Sequence, residues 1–401
     1  MVGITPPPRK RRLLVLGAGP AQLGLLRAAH ERGLFVIACD RDPAALGFEF
    51  ADRRAVVSTE DEPAIGMLAA AEEVDGVIAP GIDWPVAIAA RIAARFGLRH
   101  PLTPETAVLA VSKQRQRERL DEHGVPQPRW RMVTDATQLT VPCVVKPPDR
   151  QGQKGLTLVR DEADLADAVA TALSASRSGA ALVEELLPGP EVTVNAFSTG
   201  GRFHPLTVTD RLTAEPPAFG VALAHAWPSE HDVQGAAEVA EQAAAALGIQ
   251  DGPTYTQVVL SPDGPKVMEL AARLGGGHDA ELCLAALGVD LNGLALAAAL
   301  GEPVSVPKPK PIGGACVSFL VAPPGLLTNI DGLERAQSSE GILGARVYRR
   351  PGWIFTPLRR GSDRAGFVLA TGDSRDEALT RAERAADLIR FETADAEALV
   401  P

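Results

Sequence analysis

Residues 255–281 read YTQVVLSPDGPKVMELAARLGGGHDAE, and this stretch decides how the rest of the chain is read. Two runs with strand character, 256–260 and 265–270, flank Ser261-Pro262-Asp263-Gly264, a turn built from Pro and Gly. Folded as a hairpin, the segment brings Gln257 and Glu269 close together near the base of opposite strands. Two oxygen-bearing side chains there suit a hard cation such as Mg²⁺, which takes few protein ligands and keeps waters and phosphate oxygens. Arg273 and the run Gly275-Gly276-Gly277-His278 follow, opening a helical pattern at Asp279. Consecutive glycines free backbone N–H groups to face an anion at a helix N-terminus, and Arg adds a planar cation. The same residues also fit an ordinary hairpin with a surface Arg and a flexible loop, so the neighbouring stretches carry the decision.

Composition narrows the classes. The 401 residues allow roughly two to four domains. With 46% hydrophobic and 22% charged residues, the chain is expected to be globular. A net charge of −10 argues against nucleic-acid or anionic-membrane partners. The one basic cluster, Arg9-Lys10-Arg11-Arg12, reads as a solvated flank before a strand. There is no signal-peptide pattern and no membrane-length apolar run. Cys39, Cys143, Cys283 and Cys316 are far apart without metal spacing, as expected of buried thiols in a cytoplasmic protein.

Toward the N-terminus, a strand at 13–16, the turn Gly17-Ala18-Gly19-Pro20, a helix ending at Gly33 and a strand at 35–39 closed by Asp40 outline a Rossmann-like βαβ unit. The dinucleotide fingerprint is incomplete, because Gln22 stands where its third glycine belongs. A second β-turn-α unit follows at 74–84. A polar helix over 106–124 carries Lys113, and Gly124-Val125-Pro126 ends it. Next come a strand at 141–145, Lys146, and a Gly-bearing polar loop at 147–155 that includes Gln153 and Lys154. Lys at the end of a buried strand, facing such a loop, fits a phosphate clamp. The acidic linker from Glu184 through Glu185 and Leu187 to Glu191 suits an adenine edge and ribose hydroxyls, or is simply solvated. Residues 303–311, with four prolines, form a linker. Beyond it lie strands at 315–321 and 345–348 and a capping box at Ser374–Glu377, with no evident chemistry.

At Lys113, Lys146, Glu184 to Glu191 and Gln257/Glu269/Arg273, the order and spacing resemble the ATP-grasp superfamily of ligases. Within it, MELAARLGGGH at 268–278 and the tail VAPPGLLTNIDGLERA…VLATGDSRDEALTRAE resemble the L-amino-acid ligase (dipeptide synthetase) branch. The resemblance implies an α/β (α+β) architecture: a Rossmann-like domain at 1–105, a two-lobed ATP-grasp domain at 106–305 with its small lobe at about 125–190, and a C-terminal α+β domain at 306–401. It implies that Lys113 and Lys146 contact ATP phosphates, that Gln153 and Lys154 lie in a loop closing over them, and that Glu184 accepts from adenine N6. By the same resemblance the backbone of Glu185 and Leu187 reads that edge and Glu191 holds the ribose. Gln257 and Glu269 would bind Mg²⁺, with Mn²⁺ as the alternative. Arg273 and Lys146 would be catalytic, and Arg273, Gly275, Gly276, His278 and His225 would border the substrates. Ala271 stands where the family often has a metal-binding Asn, leaving the number of ions open.

The implied reaction joins a small-molecule carboxylate, such as an amino acid, to an amine through an acyl phosphate. The implied setting is a cytoplasmic homodimer. The rival readings are a ligase of the biotin-carboxylase or purine-pathway type, a NAD-binding oxidoreductase built on the N-terminal unit, and a non-catalytic ATP-binding sensor.

Overall fold

The computed structural model describes residues 9–395. Its first sheet is parallel, with Arg53–Val56, Phe35–Asp40, Arg12–Leu16 and Gly76–Ile78 in that spatial order. Leu13 to Leu16 are buried on both faces, as a continuous apolar run in a parallel sheet requires. In the following turn, Gln22 Oε1 accepts from Gly19 N (3.0 Å) and Gln22 Nε2 donates to Pro80 O (2.7 Å). The side chain that displaces the third glycine thus satisfies the turn from within and ties it to the second β-turn. The basic cluster is exposed at Arg9 and Lys10, as expected of a solvated flank, and its arginines are also ion-paired. Arg9 pairs with Asp75 (3.0 Å), Arg11 with Glu302 (3.0 Å) and Arg12 with Glu72, because acidic residues from later elements pack beside the first strand.

The helix expected over 106–124 is two helices, Pro104–Val111 and Lys113–Glu122. Ser112 between them is extended, and its side chain accepts from Arg115 N, making it the N-cap of the second helix. The break matters for the site, since Lys113 becomes the first residue of the new helix and its N–H donates to Pro148 O (3.2 Å).

A small antiparallel sheet follows, in the order Trp130–Val133, Ala181–Glu185, Cys143–Lys146, Thr157–Val159. Helix Leu165–Ala175 covers it, burying Val145, Val159, Leu165 and Val169. The largest sheet has eight antiparallel strands: Gly264–Ala271, Gly252–Ser261, Glu191–Thr199, Arg202–Thr213, Ala222–Trp227, Gly314–Leu320, Gly366–Gly372 and Ile342–Val347. It runs through the Pro-rich segment without a break, since Ala222–Trp227 pairs directly with Gly314–Leu320. All four cysteines are free and buried. Among the described residues no helix is long and apolar enough to cross a membrane.

Candidate active site

A cavity of about 1010 Å³ lies where the small sheet, the large sheet, the N-terminal turns and the C-terminal strands meet. The hairpin opens onto it. Gly252–Ser261 and Gly264–Ala271 pair with Gln257 directly opposite Glu269, and both residues line the cavity. Ser261 Oγ donates to Gly264 O (2.7 Å), closing the turn, and a bulge between Gln257 and Val258 shifts the register so that Gln257 meets Glu269 instead of Met268. Lys113 Nζ lies 2.9 Å from Glu269 Oε1 and donates to Arg150 O (2.7 Å). Burial works against both charges, yet each holds the other. The Glu269 carboxyl sits below its ordinary pKa because Lys113 and Lys146 outweigh burial. Lys113 sits above its own because Glu269 and Asp83 do the same. Ala271, opposite Tyr255, also faces the cavity and adds no ligand atom. Arg273 is held by Asp83, with Nη2 2.6 Å from Oδ1, and lies 5.6 Å above the Tyr255 ring.

Within the glycine run, the N–H of Gly277 is taken by the protein itself. Gly277 N donates to Asp279 Oδ2 (3.1 Å), so the protein's own carboxylate sits at the helix start. A Cβ on Gly275 would overlap that carboxylate, which explains the glycine; Gly276 and Gly277 line the cavity and Gly275 does not. His278 departs from its expected place at the substrate. Its φ of 58° makes it the left-handed N-cap of helix Asp279–Leu287. Its Nε2 lies 2.7 Å from Tyr348 Oη, its Nδ1 3.2 Å from Glu281, and its ring stacks on Phe367 at 3.6 Å. Every polar atom of the ring is used inside the protein. His225 does reach the cavity. It is 2% exposed, and its Nδ1 has no hydrogen-bond partner. Burial pushes its pKa down to about 4 although Asp279 opposes the shift, so the imidazole is neutral near pH 7.

On the nucleotide side, Lys146 Nζ lies 2.7 Å from Glu184 Oε2, and Arg117 Nε donates to Glu184 Oε1 (2.7 Å). Burial alone would raise the Glu184 pKa, but Arg117 and Lys146 bring it down to about 2. Burial lowers that of Lys146, which shares this one carboxylate with Arg117. Glu184 is enclosed and stands outside the cavity lining, so its carboxylate is unavailable to an adenine edge, contrary to the sequence expectation. Glu185, Leu187 and Glu191 do line the cavity. Glu185 binds Arg129 (2.6 Å) and Glu191 binds Arg211 Nη1 (2.6 Å). The glycine-bearing loop touches three regions: Arg150 O accepts from Lys113, Gln151 Oε1 accepts from Asp83 N (2.7 Å), and Gln153 Nε2 donates to Gly220 O (3.4 Å). Gln153 and Lys154 both face the cavity.

Residues 139–281 match the family model of the ATP-grasp domain, and residues 318–394 match that of the L-amino acid ligase C-terminal domain 2. The chain carries an ATP-grasp domain. It is 28% identical to protein y4rH of Sinorhizobium fredii over 95% of this chain and 82% of that one. It is equally 28% identical to the formate-dependent phosphoribosylglycinamide formyltransferase of Burkholderia vietnamiensis, over 96% of each chain. Its fold is shared with the L-amino acid ligase from Bacillus licheniformis, with a TM-score of 0.82 at 21% identity over 97% of this chain and 100% of that one.

Several residues of this cavity gave no signal in the sequence. Arg117 joins Glu184 to the carbonyls of Val267 (3.1 Å) and Met268, so one side chain clamps the small sheet to the hairpin. Its only advance sign is its position four residues after Lys113, one helical turn on. Asp83, which sets Arg273, lies 190 residues away in sequence. The connection between strands Ile342–Val347 and Gly366–Gly372, which showed no chemistry in the sequence, brings Tyr348, Arg349, Arg360 and Arg364 to the cavity. A further acidic group, Asp210 with Glu230 and His231, is already neutralised by Arg375, whose Nη2 lies 2.6 Å from Asp210.

Proposed function

We propose that this ATP-grasp ligase joins an amino acid or related carboxylate to an amine through an acyl phosphate. The observation that carries the reading is the cross-strand pair Gln257 and Glu269, opening onto the same cavity as Lys113, Lys146 and Arg273. Phosphoryl transfer asks a protein mainly for positioning and charge neutralisation, and these side chains offer both. The carboxylate oxygen attacks the γ-phosphorus and the bond to the β,γ-bridging oxygen breaks, releasing ADP. The amine then attacks the acyl carbon, the C–O bond to phosphorus breaks, and the departing phosphate takes the surplus proton from nitrogen. Lys113 and Lys146 neutralise the phosphates, while Arg273, oriented by Asp83, faces the transferring group.

One carboxylate and one amide oxygen on facing strands fit a hard divalent cation that keeps most of its other ligands as water and phosphate. Bound at Gln257 and Glu269, Mg²⁺ or Mn²⁺ would supply charge neutralisation to the phosphoryl oxygens. The backbone of Glu185 and Leu187 would meet the adenine edge, and Glu191, set by Arg211, the ribose. The 151–155 loop would exclude water from the acyl phosphate.

The matched L-amino acid ligase C-terminal domain favours amino-acid substrates. The domain division at 1–105, 106–305 and 306–401, the homodimer and the cytoplasmic setting belong to the same proposal, and four free buried cysteines fit a reducing compartment. Similarity along the whole chain to the phosphoribosylglycinamide formyltransferase favours a second reading, in which formate is the carboxylate. Measuring ADP release with ATP, Mg²⁺ and pairwise mixtures of amino acids, with formate among the carboxylates, separates the two. Amino-acid pairs are expected to release ADP with an equal amount of dipeptide. Turnover only with formate would overturn the amino-acid reading.

A further inference from the structure

Arg177 lies in the loop after helix Leu165–Ala175, outside the cavity lining. Asp149 fixes the backbone there: Arg177 N donates to Oδ1 and Oδ2 (both 3.0 Å), and Ser178 N donates to Oδ2 (2.8 Å). The side chain then leaves the small sheet and crosses to the N-terminal unit. Its Nη2 lies 2.6 Å from Glu60 Oε2, and its guanidinium lies over the Trp84 ring, 4.0 Å from the centroid. With the two side chains 26% and 50% exposed, the ion pair alone contributes little, so the ring contact carries the attachment.

Trp84 directly follows Asp83, the residue that holds Arg273. Asp83 precedes helix Trp84–Arg95, a place where Asp is a preferred N-cap, yet its side chain makes no cap hydrogen bond. Its φ and ψ of −77° and −47° are helical, and its Oδ1 accepts from Arg273 Nε (2.6 Å) instead. An extended backbone at this position would turn the carboxylate to the free N–H groups of its own helix and away from Arg273. The small sheet's loops hold the helical form at two adjacent points. Gln151 Oε1 accepts from Asp83 N (2.7 Å), and Arg177 packs on Trp84. Asp83 thus has two uses for one carboxylate, and contacts from another part of the chain select the one that serves Arg273.

We propose that Arg177 is a positioning residue: seated on Trp84 and Glu60, it keeps Asp83 turned to Arg273. The Arg273 guanidinium is then in place only while the small sheet lies against the N-terminal unit. Arg177 touches no substrate and acts through Trp84 and Asp83. What Arg273 does in turnover rests on the ligase reading above, whereas where Arg273 sits does not.

The placement is tested on the full chain without any substrate. Phenylglyoxal modifies free guanidinium groups faster than ion-paired ones, and labelling at Arg273 is read by peptide mass spectrometry after brief exposure. Asp83→Asn, which breaks the ion pair, sets the scale. Arg375, paired with Asp210 at 2.6 Å, is the internal control for general loosening. Arg177→Ala is expected to raise labelling at Arg273 at least roughly threefold with little change at Arg375, and Trp84→Leu to do the same. Arg177→Lys keeps the charge near Glu60 but not the flat face on Trp84, and should fall between. In the Asp83→Asn background, adding Arg177→Ala should change Arg273 labelling less than about 1.5-fold, because the path is already cut. Unchanged labelling at Arg273 in a folded Arg177→Ala protein overturns the proposal. So does an equal rise at Arg375, or a full further rise in the Asp83→Asn background. Hydroxamate formation from the carboxylate that traps best with ATP and Mg²⁺ should fall about tenfold in Arg177→Ala, and an unchanged rate overturns the positioning role. If labelling behaves as expected and no carboxylate gives a hydroxamate, the ligase reading falls and the path from Arg177 to Arg273 stands.

Discussion

Glu269 answers to two cations at once: Lys113 in the protein, 2.9 Å away, and the divalent ion proposed to sit between it and Gln257. Glu269→Gln keeps the shape and an oxygen for Lys113 but removes the anion. Turnover is expected to fall at least roughly 100-fold, since a group acting on developing charge is worth about 3 kcal/mol. The circular dichroism spectrum should be retained. Near-normal ADP release from a folded Glu269→Gln protein would remove the metal assignment. This residue's place was legible in the sequence because it and Gln257 lie on one local hairpin, although a bulge between Gln257 and Val258 sets the final pairing. Glu184 was not: its carboxylate is hidden by Arg117, 67 residues away, and nothing in a linker of acidic residues announces a buried guanidinium. His278 misled for a similar reason, since the groups that use its two nitrogens are Tyr348 and Glu281, and only the second is near in sequence. Arg364 lies in a segment with no motif at all, and only the packing of Phe319 makes it conspicuous.

At the level of elements, strands with turn residues at their ends were readable and long-range pairing was not. The hairpin and the first βαβ unit follow from local turn chemistry. The break at Ser112 had such a signal too, a Ser with a backbone N–H three residues on, but the polar run around it read as one helix. The strands Arg202–Thr213 and Ala222–Trp227 went unassigned, because their pairing depends on partners on both sides. The loop at 150–155 shows how the elements act together: Lys113, Asp83 and Gly220 each hold one of its residues. Lys113→Met removes the first tie, so limited proteolysis between Arg150 and Lys154 is expected to run several-fold faster than in the unaltered protein. ATP with Mg²⁺ should slow cleavage in the unaltered protein by ordering the loop. Equal cleavage rates in both proteins, with no protection by nucleotide, would mean that the loop is neither tied by Lys113 nor closed over ATP.

The whole molecule brings together residues that no single segment holds. The N-terminal turns give Asp83 to Arg273, the second helix of the broken pair gives Lys113 to Glu269, and the loop before strand Gly366–Gly372 gives Arg364 to the cavity. The eight-stranded sheet makes this possible by running from the Gly252–Ala271 hairpin at one edge to Ile342–Val347 at the other. The resemblance in four spaced motifs was enough to name the architecture, whereas the cavity's far wall is a product of that sheet and was invisible before it. Under the acyl-phosphate mechanism proposed above, activation of the carboxylate comes first and needs no amine. Positional isotope exchange in ATP tests that order directly. With ATP carrying ¹⁸O in the β,γ-bridge, Mg²⁺, the preferred carboxylate and no amine, the label should move to the β-nonbridging positions, and hydroxylamine should trap the acyl group as a hydroxamate. Finding neither exchange nor hydroxamate, for a carboxylate that is consumed in the complete reaction, would contradict the acyl-phosphate mechanism.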